Sequence, residues 1–122
     1  MLMNTNIVLK KWDDIIQDIL SLSTDQLLFV VDNNIPTLDL SLFKKKSEIF
    51  YLSGGEACKT LTDYEECINF FLERKVHREC HLIAIGGGSV SDLAGFVAAT
   101  LLRGVTWSIV PTTVLSMVDA SI

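Results

Sequence analysis

The chain has 122 residues, of which 49% are hydrophobic and 20% charged, and a formal net charge of −5. That length suits one modest domain, and that composition suits a folded globular chain rather than a disordered one. The acidic balance argues against nucleic acid or an anionic membrane as the main partner, so any anion has to be held locally, against the overall field.

The first ten residues lack the basic start and long apolar core of a signal peptide. Trp12, Ile15, Ile16, Ile19 and Leu20 recur at helical spacing and predict an amphipathic helix over residues 11–22. Residues 27–31 form a continuous apolar run of strand length that ends in Asp32-Asn33-Asn34, with Pro36 marking the turn beyond. A second short strand is expected over 48–52, stopped by Ser53-Gly54-Gly55. Leu61, Tyr64, Cys67, Ile68, Phe71 and Leu72 share one face of a helix expected over 60–76. A strand at 82–85, a helix at 89–102 and a strand at 106–110, closed by Pro111, complete the series. The longest apolar stretch, 93–102, is about half of what a membrane span needs.

Nearly uninterrupted apolar strands alternating with helices predict a parallel sheet covered on both faces. In such sheets ligands bind beyond the carboxyl ends of the strands. Asp32, the loop at 53–59, the turn at 86–92 and Pro111-Thr112-Thr113 all fall at strand carboxyl ends, so four loops should converge on one edge.

The turn Gly86-Gly87-Gly88-Ser89-Val90-Ser91-Asp92 carries the most chemistry. Three glycines between an apolar strand and a helix let the backbone turn sharply and lie directly against a ligand. The helix start then offers free amides and a positive dipole end, a site for phosphate or pyrophosphate. The usual dinucleotide fingerprint is incomplete, because Ser91 stands where a third glycine belongs, and no Gly-Lys-Ser/Thr of a P-loop follows. Ser89 and Asp92 have capping-box spacing, so Ser89 is expected to accept from the helix amides.

Other candidates have plainer readings beside them. Asp32 suits ribose hydroxyls, although Asp-Asn-Asn is also ordinary turn chemistry. Gly54-Gly55-Glu56-Ala57-Cys58-Lys59 places an acid and a base three apart in a glycine-led loop, or simply an exposed ion pair at a helix entry. Thr112 and Thr113 offer hydroxyls to a ligand or open a helix. Arg103 follows a helix, where the dipole favours a cation. His77, Cys80 and His81, with Glu79 between them, lack a second ligand pair, and no metal site is expected there. Three cysteines without a Cys-x-x-Cys pair suggest reduced thiols in a cytoplasmic protein.

Taken in order, the block from Gly86 through Asp92-Leu93-Ala94-Gly95-Phe96-Val97-Ala98-Ala99, Arg103-Gly104, Val110-Pro111-Thr112-Thr113-Val114-Leu115 and Val118-Asp119-Ala120-Ser121-Ile122 resembles 3-dehydroquinate synthase. Gly55-Glu56-Ala57-Cys58-Lys59 and Asp32-Asn33-Asn34 fit the same family, whereas the first 25 residues resemble nothing in particular. The resemblance implies a Rossmann-like NAD-binding domain over residues 1–122. It also implies a helical domain beyond it that carries a divalent metal, zinc or cobalt, in the complete enzyme. The implied reaction converts 3-deoxy-arabino-heptulosonate 7-phosphate into 3-dehydroquinate and phosphate, with a hydroxyl oxidised transiently, phosphate eliminated and the ketone reduced again.

Carried over by position, Asp32 and Asn34 contact the adenosine ribose side, and Glu56 and Lys59, with the loop from Gly54 through Gly55, Ala57 and Cys58, hold the cofactor's other face. Gly87, Gly88 and Ser89 wrap the pyrophosphate together with Val90 and Ser91, and Asp92 anchors a ribose. Thr112, Thr113 and Leu115 line the nicotinamide half, and Asp119 reaches the substrate hydroxyls. Arg103 resembles the arginine that family dimers lend across their interface to the substrate phosphate, a task suited to a forked guanidinium. The family usually has glycine at the position of Ser91, and its motif continues past Ile122 into Gly-Gly-Lys. On this reading the chain is an N-terminal half that is inactive alone, soluble in the cytoplasm, and homodimeric when complete, with a sugar phosphate as its substrate. The alternatives are a related sugar-phosphate cyclase, a polyol dehydrogenase with the same cofactor domain, or a non-catalytic nucleotide-binding remnant.

Overall fold

The structure, a computed structural model, describes residues 12–24, 26–33, 46–52 and 61–111. The elements follow one another as α1 (Trp12–Leu20), β1 (Gln26–Asp32), β2 (Lys46–Leu52), α2 (Leu61–Glu73), β3 (His81–Gly86), α3 (Gly88–Thr100), a single 3-10 turn (Leu101–Arg103) and β4 (Thr106–Pro111). Every predicted element is present. Among the described residues no helix is long and apolar enough to cross a membrane.

The four strands are parallel and lie in the order β2-β1-β3-β4. Phe29 of β1 stands between Ile49 of β2 and Ile83 of β3, and Ala84 of β3 is level with Ile109 of β4. The chain leaves β1 toward β2 on one side, then returns past β1 to build β3 and β4 on the other. Its direction of travel therefore reverses between β1 and β3, which opens a crevice beyond their carboxyl ends.

Alternation along the strands divides the core in two. Leu28 and Val30 of β1 and Leu82 and Ala84 of β3 pack with Cys67 and Phe71 of α2 and with Val90, Leu93, Ala94 and Val97 of α3. The opposite face carries Leu27, Phe29, Ile83 and Ile85, all wholly buried. Each such side chain contributes about 1.5–3 kcal/mol when taken out of water. Strands buried on both faces need no polar alternation, and that explains the unbroken apolar runs of β1 and β3.

Helix α2 ends where Lys75 takes a left-handed conformation (φ 56°), with the Arg74 and Lys75 amides donating to the carbonyls of Phe71 and Leu72. Helix α3 lies close over the sheet because Gly95 leaves a notch that the Trp107 ring fills: a Cβ at Gly95 would come within 3.0 Å of it. Helix α3 also departs from its predicted bounds. It starts at Gly88 rather than Ser89, and its regular part stops at Thr100.

Candidate functional site

The crevice between β1 and β3 is built by Asp32, Gly86 and the start of α3. The Asn33 amide donates to the Leu52 carbonyl (2.6 Å), tying the ends of β1 and β2 together. Gly86 ends β3, and a Cβ there would lie 3.0 Å from Val90 Cβ and 3.1 Å from Asp32 Cβ. Gly86 is thus glycine because the end of β1 and the first turn of α3 close on it from both sides.

The next two glycines have a different reason. Gly87 is the N-cap residue, extended at φ −84° and ψ −168°, and the first bond of the helix runs from the Ser91 amide to the Gly87 carbonyl (3.0 Å). The amides of Gly88, Ser89 and Val90 precede that bond and have no partner within the helix. Both Gly87 and Gly88 are exposed. A Cβ added at Gly88 would meet nothing within 4 Å. Packing therefore does not require glycine at 88, whereas close approach by a ligand would.

The expected capping box is not formed. With Gly87 as the N-cap, Ser89 falls in the second helical position, and among the described residues its hydroxyl makes no capping bond. The physical reason is that a box needs the hydroxyl on the N-cap residue itself, whose extended backbone aims it at the amides. Val90 buries its side chain in the core, leaving only its backbone toward the crevice. Ser91 is half-buried, and Asp92 is exposed on the first turn. Asn34, Gly54, Gly55, Glu56, Ala57, Cys58, Lys59, Thr112, Thr113, Leu115 and Asp119 lie outside the described residues.

Arg103 is placed far from this crevice. The 13 residues of α3 rise about 20 Å, so Arg103 stands at the opposite edge of the sheet from Gly87 and Gly88. Thr100 Oγ donates to the Phe96 carbonyl (2.8 Å), the Leu101 amide to Val97, and the Val105 amide to Ala98 (2.8 Å). Those carbonyls are satisfied without the guanidinium, which forms no hydrogen bond or ion pair among the described residues. Leu102 (φ 49°, ψ 36°) and Arg103 (φ 71°) are both left-handed, and Gly104 follows at φ 110°. A left-handed conformation costs a side-chain-bearing residue roughly 1–2 kcal/mol.

The imidazole and thiols near residue 80 are structural. His81 is buried, with Nδ1 2.8 Å from Thr106 Oγ and Nε2 2.6 Å from Ser108 Oγ. No group of three potential ligands that could hold a metal ion occurs among the described residues. Burial pushes the Cys67 thiol up to about 12 and the Cys80 thiol to about 11, so neither is a ready thiolate.

Two features escaped the sequence reading. Gly95 had a visible signal, a glycine inside a helical run, and its notch for Trp107 is a packing device. The left-handed turn at Leu102 had none, because leucine is not a residue that favours that conformation.

The fold and the sequence both have relatives. A 2-deoxy-scyllo-inosose synthase, described as complexed with carbaglucose-6-phosphate, NAD+ and Co2+, superposes with a TM-score of 0.70 at 24% identity. That match covers 80% of this chain and 30% of the neighbour. A 2-epi-5-epi-valiolone synthase from Streptomyces hygroscopicus, with NAD+ and Zn2+ bound, gives 0.63 at 23% identity over 80% of this chain and 29% of its own. At such identities the likeness establishes the fold, a Rossmann-like α/β arrangement. Curated sequences are nearer. The 3-dehydroquinate synthase of Thermoplasma volcanium is 48% identical over 90 residues, 74% of this chain and 24% of that protein. That of Clostridium tetani is 35% identical over 109 residues, 82% of this chain and 28% of that protein. The chain thus spans about a quarter of the length of these relatives. The family profile described as 3-dehydroquinate synthase N-terminal matches residues 49–122, which include the glycine turn, α3 and Arg103. With more than half of its length inside that match, the chain belongs to the 3-dehydroquinate synthase family.

Proposed function

We propose that residues 1–122 act as the NAD-binding N-terminal domain of a 3-dehydroquinate synthase. That enzyme converts 3-deoxy-arabino-heptulosonate 7-phosphate into 3-dehydroquinate and phosphate in the shikimate pathway. The observation that carries the reading is the exposed pair Gly87-Gly88 opening α3 beside Asp32, at the reversal point of the sheet. Such a crevice fits a dinucleotide: backbone amides and the helix dipole suit its pyrophosphate, and the Asp32 carboxylate suits ribose hydroxyls. NAD, when bound, supplies the hydride acceptor and donor for the transient oxidation.

The chain's own residues would bind and orient. Gly87, Gly88 and Ser89 hold the pyrophosphate through their amides, with the Val90 and Ser91 backbone behind them, while Asp32, Asn34 and Asp92 take ribose hydroxyls. By the family resemblance, Gly54, Gly55, Glu56, Ala57, Cys58 and Lys59 would serve the cofactor's other face. By the same resemblance, Thr112, Thr113 and Leu115 would serve the nicotinamide half, and Asp119 the substrate hydroxyls. Arg103 takes the substrate phosphate bidentately. Its distance from the Gly87-Gly88 turn of its own chain supports donation to a second copy, and hence a homodimer. Among the described residues no group of three potential ligands could hold the cobalt or zinc named with the structural neighbours.

The direct test is a calorimetric titration with NAD of the wild-type chain and of Gly88→Val. The expected outcome is loss of measurable NAD affinity with an unchanged circular dichroism spectrum, because a Cβ at 88 meets open space. Equal affinity in the two proteins would sink the pyrophosphate assignment. Release of phosphate from the heptulosonate phosphate, with NAD and zinc present, measures turnover. Turnover by residues 1–122 alone would overturn the assignment of the metal chemistry elsewhere.

A further inference from the structure

The turn that carries Arg103 is built against its local preferences. Two side-chain-bearing residues in succession, Leu102 and Arg103, are left-handed, and Gly104 continues at positive φ. Four anchors hold it there. Leu101 is buried to 1% exposure beside the α3 core. Leu102 packs against the same cluster. The Gly104 amide donates to the Leu101 carbonyl (2.8 Å), and the Val105 amide to Ala98 (2.8 Å). Between these anchors the Arg103 side chain alone points out, exposed and without a hydrogen bond or ion pair among the described residues.

A plain helix ending would leave the arginine lying along the last turn of α3, where it would reach the carbonyls. Here the Phe96, Val97 and Ala98 carbonyls accept from Thr100, Leu101 and Val105, and two left-handed residues stand between the helix and the arginine side chain. An arginine whose backbone is already anchored has less freedom to lose when it forks onto an anion than one on a mobile chain end.

We infer that Leu102 is a positioning residue for Arg103: its anchored left-handed conformation sets the direction in which the arginine leaves the backbone, outward toward a phosphate held by a second copy of the chain. This rests on the reading of Arg103 given above and deepens it. Leu102 touches neither substrate nor cofactor and acts only through its neighbour.

The experiment compares wild type, Arg103→Ala, Leu102→Gly and Leu102→Met. In each, the affinity of the NAD-loaded protein for 3-deoxy-arabino-heptulosonate 7-phosphate is read by calorimetry, alongside NAD affinity and melting temperature. Arg103→Ala should weaken sugar-phosphate binding roughly ten- to a hundredfold, as expected for losing a charged hydrogen-bonding partner. Leu102→Gly accepts the same backbone angles without strain but removes the apolar anchor. It should weaken sugar-phosphate binding severalfold, with NAD affinity unchanged and the melting temperature not lowered in proportion. Leu102→Met keeps an apolar anchor and should restore wild-type binding. A residue with only a structural role would move melting temperature and leave sugar-phosphate affinity alone. Wild-type affinity in Leu102→Gly beside weakened binding in Arg103→Ala overturns the positioning role and leaves the arginine's role intact. Equal affinity in wild type and Arg103→Ala overturns both.

Discussion

At the amino edge of the sheet, His81 is held between Thr106 and Ser108, and Gln26 Oε accepts from the His77 amide (2.9 Å). Thr24 Oγ donates to the Glu79 carbonyl (2.7 Å) there as well. At the carboxyl edge, Gly87 and Gly88 stand exposed, and the first amides of α3 lack a partner within the helix. The amino edge even has a cavity of about 400 Å³, walled in part by Thr24, Arg78, His81 and Thr106. Its buried polar groups are nonetheless already spent on one another, and no buried polar side-chain atom of the described residues lacks a partner. Buried residue types that look reactive gather at one edge and serve the fold, with Arg103 exposed beyond them. Residues with no side chain gather at the other and leave room for a ligand.

Substitutions can break that contrast. The largest effect is expected from Gly86→Val, which would drive new methyl groups into Val90 and Asp32. It should cost about 3 kcal/mol in urea unfolding and remove NAD binding with it. Retained NAD affinity in a destabilised protein would separate the crevice from Gly86. Next comes His81→Leu at the amino edge. It strands the buried Ser108 hydroxyl and should cost about 2 kcal/mol, with NAD affinity unaltered. A fall in NAD affinity there would show that the two edges are coupled. The smallest is Lys75→Gly, which relieves a left-handed lysine at the end of α2. A gain of about 0.5 kcal/mol is expected, again without change at the crevice. A loss of stability would mean that the Lys75 side chain carries more than its backbone strain suggests.

Most of the fold was legible because its signals are local. The apolar runs of β1 and β3 and the helical spacing of Cys67 and Phe71 or of Val90, Leu93, Ala94 and Val97 follow from burial alone. The strand–turn–helix junction at the glycines was legible for the same reason, since glycines between an apolar strand and a helical run mark a sharp turn. What the sequence did not disclose depends on contacts between elements. The difference between Gly86, closed in by Asp32 and Val90, and Gly88, open to solvent, exists only once β1 and α3 are beside each other. The Ser89 cap failed for a one-residue reason, because the helix began earlier than its spacing suggested. Leu102 needed the turn geometry itself, which no residue preference announces.

The strand order has a consequence for the way the crevice comes into being. Asp32 belongs to the first strand and Gly86 to the third, and they meet only when β3 has docked against β1. A partly assembled sheet therefore has no crevice at all. A molecule that spans the two strand ends binds the finished sheet and none of its precursors, and so it shifts the folding equilibrium toward completion. At a concentration a hundred times its dissociation constant that shift amounts to about 2.7 kcal/mol, a sizeable share of a small domain's stability. Such a ligand would act as a late clamp on chain assembly as well as a participant in chemistry, and the melting temperature would rise with its concentration.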